Sequence, residues 1–533
     1  MVGPLWFKRL ARTPEESRRV TINMSAHRSM GMRSRSVRAR VVTGFQDTFS
    51  DEVQARRAMF DTVQKVYESY GFIPLETPAL EYVDVLGKFL PESNTPAGGI
   101  FAMEYEEEWI ALRYDLTAPL SRVVAMYDQL PLPFRRYQVG TTWRRELALE
   151  PGRFQEFYQM DFDSVGVPGV VADAEACIIM AETLEALGVK KGEYIVRANH
   201  RKILAGLIEK IGIGRPQPGM EWSEKELIVL RAIDKLDRLG LDGVLDLLGI
   251  GRRDASGSFT TGAGLNENQI EVVRDYLSVS TASRRRYCKE LESFLSSSEI
   301  GMVGVNEMVE MDRFLSDADV SEDRVEFDPT VIRGLAYYTG PVFEATLTME
   351  ITDENGLKRR FGSVFGGGRY DSLVERFTGK RVPATGASIG VDRLLAALKL
   401  LNRIKVEAAT APVLVGVVRP EQVSESHAIA VRLRRGGINT ELYLGGKDLQ
   451  GQLKYADVAG KSVVVLRGDR EKANGTVSLK DLRLGRELAG DVTGRNLWLQ
   501  KLPGQVTVPE SSLLDGVRQI LARYGMTGGT PEQ

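Results

Sequence analysis

FRRYQVGTTWRRELALEPGRFQEFYQMDFD, residues 134–163, is the most informative stretch of this sequence. Its first arm, Arg135 to Val139, is short and β-prone, and Pro151-Gly152 favours a turn in the loop between the arms. The second arm alternates with the two-residue period of a β-strand. One face of that strand would carry Tyr158, Met160 and Phe162, and the other Gln159, Asp161 and Asp163. The stretch therefore predicts a β-hairpin that lines a polar pocket floored by sheet.

The loop between the two arms is rich in arginine. Arg144, Arg145 and Arg153 all lie in it, and a planar guanidinium can bind two oxygens of a phosphate at once. The hairpin thus offers phosphate binders beside acceptors for an amine-bearing small molecule. For any single arginine an ordinary surface ion pair is the better interpretation, but the polar side chains repeated on one strand face favour the pocket.

The composition indicates a globular protein of several domains. The chain has 533 residues, of which 43% are hydrophobic and 27% charged, and this length allows about two to four domains. No apolar run approaches the roughly 18 residues that span a bilayer, so we expect no membrane segment. The net charge of −2 neither indicates nor excludes a nucleic-acid partner, because binding needs only a local basic patch.

Cysteine and histidine are both scarce. Cys177 and Cys288 lie far apart and lack CxxC spacing, so we expect neither a disulfide framework nor a zinc site. A reducing compartment, the cytoplasm, fits this usage. With only three histidines in the chain, we do not expect histidine-based acid–base catalysis or a His-rich metal site.

The N-terminal residues 1–43 predict a basic, disordered tail. Residues 1–40 contain ten lysines and arginines but only two acidic residues, with little apolar periodicity. They lack the apolar core of a secretory signal. A transit peptide and a start codon placed too early are the alternatives to a tail.

Three further segments place polar residues at the ends of elements or beside glycine. WIALRYDLT predicts a strand followed by a helix, for which Thr117 is a good cap and Asp115 a good first-turn acid. VIRGLAYYTGPVFE, residues 331–344, sets Arg333 beside a glycine. FGGGRYD, residues 365–371, has three glycines that let a backbone approach a ligand closely.

The C-terminal third predicts two further features. ASIGVDRLLAALKLL, residues 387–401, predicts a strand that meets a helix at Gly390, with Arg393 in the first turn. A cation in the first turn of a helix is unfavourable because it opposes the helix dipole. A phosphate bound beside Arg393 would offset this cost. After a linker at 403–410, strands that alternate with helices predict a mostly parallel α/β domain.

Together these segments resemble the histidyl-tRNA synthetase family of class II aminoacyl-tRNA synthetases. Arg144 followed by GRFQEFYQMDFD resembles motif 2, the segment around Arg393 resembles motif 3, and IPLETPALE with its preceding helix resembles motif 1. RGLAYYTG and FGGGRYD are specific to the histidyl family, so the match is strong. It runs from about Gly44 to Arg523 and is interrupted in the middle.

The resemblance implies an α+β fold with several domains. We expect an antiparallel-sheet catalytic domain of the class II type, interrupted by a helical insertion and followed by an α/β anticodon-binding domain. The expected boundaries are 44–202 and 326–402 for the catalytic domain, 203–325 for the insertion, 411–526 for the anticodon-binding domain and 527–533 for a tail. Motif 1 forms the dimer interface in class II synthetases, so a homodimer is expected.

The resemblance also implies an activity: ATP-dependent conversion of L-histidine to histidyl-adenylate, then transfer to the 3′ end of tRNA(His). Mg²⁺ would accompany ATP, held through phosphate oxygens. Arg144 and Arg333 would hold the reacting carboxylate and the α-phosphate. Histidine would be bound by Asp115, Leu116, Thr117, Arg144, Gln159, Asp163, Arg333, Tyr337 and Tyr338, and ATP by Arg144, Glu146, Arg153 and Arg393.

Some details depart from the common pattern. Ala336 stands where the family usually has an acid, and the loop Glu146 to Pro151 is unlike that of the common bacterial form. FYQMDFD and YYTG are closer to a eukaryote-like branch. The alternatives are a catalytically inactive, histidine-sensing regulatory paralogue and a tRNA- or stress-sensing binding module. Both would be expected to lose arginines such as Arg144 and Arg333, which are present.

Overall fold

The computed structural model describes residues 38–86, 99–145, 154–214, 222–253, 257–334, 338–352, 356, 358–359, 361–404, 410–489 and 504–526. The expected tails lie largely outside these residues, at 1–37 and 527–533. Residues 38–43 contain neither helix nor strand. From Gly44 onward the chain forms one compact unit.

The first part of the chain contains the predicted hairpin. In chain order it consists of α1 (Ser50–Ser69), β1 (Ile73–Pro74), β2 (Leu80–Tyr82), α2 (Val83–Leu86), β3 (Ala102–Tyr105), β4 (Glu108–Leu112), α3 (Thr117–Met126), β5 (Phe134–Trp143), β6 (Glu156–Val165), α4 (Val171–Ala186) and β7 (Tyr194–His200). The hairpin is β5–β6. Its first strand is longer than the predicted arm because the pairing continues to Trp143, opposite Glu156.

A largely helical segment follows β7. It consists of α5 (Arg201–Lys210), α6 (Glu224–Ile233), α7 (Leu236–Leu248), β8 (Gly251–Arg253), β9 (Phe259–Thr261), α8 (Glu267–Leu277), α9 (Arg284–Phe294) and α10 (Glu299–Asp317). α7 is interrupted at Gly240, where φ is +67°. β10 (Val325–Phe327) then pairs in parallel with β7. The segment therefore leaves and rejoins the sheet at neighbouring strands.

The remaining elements of this part complete an eight-stranded sheet. They are β11 (Pro341–Leu347), β12 (Ile351–Thr352), β13 (Lys358–Arg359), β14 (Ser363–Arg369), α11 (Glu375–Thr378), β15 (Ala384–Gly390) and α12 (Val391–Leu400). The strand order is β1-β5-β6-β15-β14-β11-β7-β10, and only the two outermost pairs are parallel. The expected antiparallel catalytic sheet is thereby confirmed.

The core of this part lies between the sheet and its covering helices. α4 is apolar on nearly every side, and a helix of that kind is stable only when it is surrounded by protein. Most of its residues are indeed buried, among them Ile179, Met180 and Leu184. Met160 and Phe162 of β6 belong to the same core, so this face of the strand is the apolar one that the alternation predicts.

The C-terminal part is a smaller α/β unit. It contains β16 (Val413–Val415), α13 (Val423–Arg435), β17 (Thr440–Leu442), α14 (Leu449–Val458), β18 (Val463–Leu466), α15 (Asp469–Ala473), β19 (Thr476–Asp481), α16 (Leu482–Ala489), β20 (Gln505–Pro509) and α17 (Leu513–Ala522), with 3₁₀ turns at Pro420–Gln422 and Glu510–Ser512. The prediction of a mostly parallel sheet is wrong. β16 pairs in parallel with β17 and β18, but β19 and β20 are antiparallel additions.

The helices within the described ranges include none that is long and apolar enough to cross a membrane.

Candidate active site

A cleft of about 750 Å³ opens over strands β6, β14 and β15 of the large sheet. Its walls come from the turn before α3, from the first turn of α12 and from Asp234, which follows α6. Eight of the residues expected to bind histidine or ATP line it: Asp115, Thr117, Arg144, Gln159, Asp163, Arg333, Tyr338 and Arg393. Residues from five separate parts of the sequence therefore meet in one cavity.

The register of three neighbouring strands orders the floor into rows. The rows are Arg136–Asp163–Gly386, Gln138–Asp161–Ser388 and Gly140–Gln159–Gly390, each taken from β5, β6 and β15 in turn. All three polar residues that the alternation of β6 assigns to one face line the cleft. The polar face predicted from the sequence is thus confirmed.

The first row holds a fully buried ion pair. Nη2 of Arg136 lies 2.8 Å from Oδ2 of Asp163, and the arginine side chain is 0% exposed. The same nitrogen donates to the carbonyl oxygen of Leu116 at 3.0 Å. Tyr370 donates its hydroxyl to Oδ1 of Asp163. A Cβ on Gly386 would lie 2.2 Å from that oxygen, so glycine gives the carboxylate its room.

The second and third rows carry an acid and an amide. Nε2 of Gln159 donates to Oγ of Ser388 at 2.6 Å. Burial, and then the neighbouring carboxylate of Asp163, raise the pKa of Asp161 to about 7. Burial likewise raises the pKa of Asp163, while Arg136 and Tyr370 oppose the shift. The floor therefore presents an acidic surface, and Arg136 pairs with one of its two carboxylates.

The turn before α3 adds a third carboxylate to the cleft. Oδ1 of Asp115 accepts the backbone N–H of Ala118 at 2.9 Å. Thr117 is the first residue of the helix and makes no side-chain cap. The capping role expected of Thr117 thus belongs to Asp115, which precedes the helix. Leu116 is 0% exposed and does not line the cleft; only its carbonyl oxygen contacts a floor residue, Arg136.

Three arginines line the opposite part of the cleft. Arg144 follows the end of β5 and stacks between two rings, with its Cζ 4.4 Å from the centre of Tyr114 and 5.0 Å from that of Phe157. Stacking fixes the plane of a guanidinium and leaves its N–H edge available to an anion. Arg393 lies in the first turn of α12, as predicted, and donates to the carbonyl oxygen of Ser363 at 2.8 Å.

Arg333 is positioned by two side chains from the sheet. Its Nε lies 2.6 Å from Oε2 of Glu344, and its Nη2 donates to Oγ of Ser363 at 2.8 Å. A Cβ on Gly366 would lie 2.1 Å from Nη1 of the same arginine. The Nη1 end of the guanidinium therefore lies close to a strand that has no side chain at this point. The sequence predicts that the glycine run would admit a ligand; at Gly366 the space is taken by Arg333.

Other expected residues are only partly accounted for. Tyr338 lines the cleft, and Gly334 has φ of +54° with the Tyr338 ring packed against it. Glu146, Arg153, Tyr337 and Ala336 lie outside the described residues. Arg369 of the glycine segment does not line the cleft: it is buried and pairs with Asp173 of α4, its Nε 2.9 Å from Oδ2.

Several residues of the cleft were missed from the sequence. Glu344, Ser363, Ser388, Tyr370 and Arg136 all contact expected site residues or line the same cleft. Arg136 could have been identified from the sequence, because an arginine within a β-prone run is unusual unless it is paired. The others are brought to the site by strand pairing, which a local pattern does not reveal.

No group of three or more His, Cys, Asp or Glu side chains arranged to hold a metal ion occurs among the described residues. The charges of the cleft are separated along its length. Carboxylates at the Asp163 end suit a cationic or hydrogen-bond-donating ligand, and guanidinium groups beyond Gln159 suit phosphates and carboxylates. One cavity can thus hold both parts of an amino acid and a nucleotide.

The antiparallel sheet, its motif-like arginines and the separate C-terminal unit define a class II aminoacyl-tRNA synthetase catalytic domain joined to an anticodon-binding domain. The family model for histidyl-tRNA synthetase matches residues 44–394, and that for the anticodon-binding domain matches residues 412–494. The chain belongs to the histidyl-tRNA synthetase family.

Curated relatives agree over nearly the whole chain. The histidine–tRNA ligase of Cereibacter sphaeroides is 48% identical over 92% of this chain and 99% of its own length. That of Rhizobium meliloti is 46% identical over 92% of this chain and 97% of its own length. These relatives favour the ligase over the regulatory paralogue. Both come from bacteria, so the expected eukaryote-like branch is not supported.

Solved structures agree with the fold. The crystal structure of histidyl-tRNA synthetase from Nostoc sp. PCC 7120 has a TM-score of 0.67 and 28% identity, and the match covers 91% of this chain and 100% of that one. The apo enzyme of S. aureus has a TM-score of 0.55 at 18% identity, over 90% of this chain and 99% of that one, which supports the fold alone.

Proposed function

We propose that this chain is a histidine–tRNA ligase that joins L-histidine to ATP and then transfers the histidyl group to tRNA(His). One observation carries the assignment of the site. Along β6 the floor changes from the carboxylates Asp163 and Asp161, through Gln159, to the arginines that follow, Arg144 and Arg393. A substrate with a donor-rich side chain and ammonium at one end, and a reacting carboxylate and phosphate at the other, matches that order.

In the first step a histidine carboxylate oxygen attacks the α-phosphorus of ATP. The new O–P bond forms as the bond from that phosphorus to the bridging oxygen breaks, and pyrophosphate leaves. We assign Arg144 and Arg333 to the carboxylate and the α-phosphate, and Arg393 with Arg153 to the outer phosphates. Fixed guanidinium groups speed such a reaction because they stabilise charge that develops in the transition state.

Binding of histidine is assigned to the opposite end. Asp115, Thr117 and Gln159 would take the α-ammonium, and Asp163 with Tyr338 and Tyr337 would bind the imidazole nitrogens. Asp163 is suited to this because Arg136 and Tyr370 hold its carboxylate in place. A site of buried polar groups discriminates strongly against analogues that leave those groups unpaired.

In the second step the terminal ribose hydroxyl of the tRNA attacks the carbonyl carbon of the adenylate, and AMP leaves. The C-terminal unit offers a place for the anticodon. A groove of about 930 Å³ there is lined by Arg434, Lys447, Tyr443 and Tyr455, and the two rings are 5.5 Å apart. Aromatic faces beside basic side chains suit unpaired bases and their phosphates.

ATP is the second substrate, and Mg²⁺ would enter as its complex. Bound in this way, the ion neutralises phosphate charge, and we expect phosphate oxygens to be its main ligands. No protein residue is assigned to it. The buried thiols Cys177 and Cys288 support work in a reducing compartment, the cytoplasm.

We also propose that the chain works as a homodimer. Strand β2 carries its apolar residues outward: Leu80 is 43% and Tyr82 49% exposed, while Glu81 between them is 6% exposed and pairs with Arg122. Met103 of β3 lies in the same row as Tyr82 across β4 and is 47% exposed. An apolar strip of this kind fits a second copy of the chain, as the resemblance to motif 1 implies.

Amino-acid-dependent ATP–pyrophosphate exchange tests the proposal. We expect exchange with L-histidine and with none of the other nineteen standard amino acids. Arg333→Ala should abolish it, whereas Arg197→Ala should not, because Arg197 pairs with Glu326 on β10 and does not line the cleft. Wild-type protein that binds histidine without exchange would refute the ligase and favour the regulatory paralogue.

A further inference from the structure

Apart from Oδ2 of Asp163, which is ion-paired with Arg136, two buried acceptor atoms on residues that line the cleft lack hydrogen-bond partners among the described residues. They are Oε1 of Gln159 and Oδ1 of Asp161. The two residues are 8% and 2% exposed, and both line the cleft. An acceptor held out of water without a donor is unfavourable, so a pair of them in one cavity points to a ligand that brings the donors.

Asp161 also differs from Asp163 in having no direct ion pair among the described residues, although Arg136 and Arg113 act on its charge from a greater distance. Asp163 is paired with Arg136 at 2.8 Å, but no described lysine, arginine or histidine forms an ion pair with Asp161 within 4.0 Å. Its neighbours in the row, Gln138 and Ser388, are neutral. The nearby carboxylates of Asp163 and Asp115 disfavour its charged form further. A cationic ligand that contacts Asp161 would therefore provide the direct partner that the described residues do not.

The position of Asp161 indicates which cation this is. Gln159, Asp161 and Asp163 point to the same side of one strand, with Asp161 in the middle. If Asp163 binds the imidazole and Gln159 the ammonium, as in the proposed function, Asp161 lies between the two groups. An ammonium has three N–H donors and a full charge, which can satisfy both unpartnered acceptors and the uncompensated carboxylate.

We propose that Asp161 is a further residue of the histidine site, where it binds the α-ammonium together with Gln159 and makes the site selective for substrates that carry this charge. Ser388 is the positioning residue of the pair, because it accepts from Gln159 at 2.6 Å and hydrogen-bonds to the Asp161 carboxylate. This inference rests on the proposed function and adds to it the group that recognises the ammonium charge.

The test compares two ligands on purified full-length protein. L-histidine and imidazole-4-propionate share a side chain and a carboxylate, but only histidine has the ammonium. Dissociation constants are measured by calorimetry, with competition against histidine for the weaker ligand. Asp161→Asn keeps the shape and removes the charge. We expect Asp161→Asn to weaken the binding of histidine by about tenfold to 100-fold and to change the dissociation constant of imidazole-4-propionate less than twofold.

Controls separate this role from a structural one. Gln138→Met perturbs the same row without removing a charge, and it should leave the ratio of the two affinities unchanged. If Asp161→Asn fails to fold, Asp161→Ala is measured in its place. Equal losses for both ligands, or no loss for histidine, overturn the proposal. If wild-type protein does not bind histidine at all, the proposed function fails first, and this inference fails with it.

Discussion

Nε of Arg333 and Oε2 of Glu344 lie 2.6 Å apart, in a cleft where the arginine is assigned to the reacting groups. Ser363 holds a second nitrogen of the same guanidinium. The Nε–Nη2 edge of Arg333 is therefore engaged by the sheet, and the Nη1 side lies over Gly366. Glu344 thus acts as a positioning residue for Arg333.

Removing the charge of Glu344 should slow the chemical step more than it weakens substrate binding. For Glu344→Gln we expect kcat of histidine-dependent exchange to fall about tenfold, because a misplaced arginine stabilises the transition state less well. KM for histidine should change less than threefold. The matched control is Glu326→Gln, which breaks a similar pair with Arg197 at 2.7 Å away from the cleft. Equal effects of both variants would contradict a positioning role.

A methyl group on Gly366 should displace Arg333 without unfolding the protein. In Gly366→Ala the new Cβ meets the end of a flexible side chain, at 2.1 Å from Nη1, so the arginine moves instead of the backbone. Exchange activity should fall at least about tenfold while Tm stays within a few degrees. Gly446→Ala is the control, since a Cβ there meets nothing within 4 Å. Full activity of Gly366→Ala would show that the position of Arg333 is unimportant.

Breaking the buried pair of the first row should destabilise the fold. Arg136→Met leaves the carboxylate of Asp163 buried and uncompensated, which costs about 3–5 kcal/mol. The double variant Arg136→Met with Asp163→Asn should recover much of this loss, because no buried charge remains. Urea unfolding of the ligand-free protein gives the free energies of unfolding. Strict additivity of the two single effects would contradict a direct interaction between these side chains.

Asp161 should make stability depend on pH. Its pKa in the folded protein, about 7, is above the usual value for aspartate, so the folded state retains a proton that the unfolded state has lost. The contribution of Asp161 to the free energy of unfolding therefore falls as pH rises from about 4 to 7. The ionisable groups that interact with it are Asp163, Asp115, Arg136, Arg113 and Tyr67.

Thermal unfolding of wild type and Asp161→Asn across this range checks the sign. The Tm of the variant should rise relative to wild type as pH increases from about 5 to 8. A constant difference between the two proteins over this range would contradict a raised pKa for Asp161. The opposite trend would mean that a cation of the protein stabilises the charged carboxylate.

A charge on the outward face of β2 should separate the proposed dimer. We expect Tyr82→Glu to shift the mass measured by light scattering from that of a dimer to that of a monomer. Val458→Glu, in α14 of the C-terminal part, is the control because Val458 is apolar and 81% exposed. A monomeric wild-type protein would refute the dimer directly.

The sequence predicts the part of the site that lies on single strands and helices. The alternation of Gln159, Asp161 and Asp163 reveals the polar face of β6, and the first-turn position of Arg393 follows from Gly390. These features depend on a local period, which a sequence displays directly. The resemblance adds Arg333 and Asp115, and both line the cleft.

Partners brought together by the sheet were not predictable in this way. Tyr370 reaches Asp163 across 207 positions of sequence, and Arg136 meets Asp163 only because β5 and β6 pair in one particular register. The antiparallel additions β19 and β20 were missed for a related reason. The apolar pattern of a strand does not state the direction of its neighbour, and a helix between strands suggested parallel pairing throughout.

The glycines under the cleft limit how the enzyme can vary by mutation. Gly366 makes room for Arg333 and Gly386 for Asp163, while a Cβ on Gly367 would lie 2.3 Å from the carbonyl oxygen of Gly386. At such positions any other residue would place a side chain where there is no free space, so no chemically similar replacement exists. Side chains elsewhere in the cleft can be exchanged in small steps, for instance an acid for its amide. The glycine positions allow no such steps, so we expect new substrate preferences to arise from the side chains around them and not from the glycines themselves.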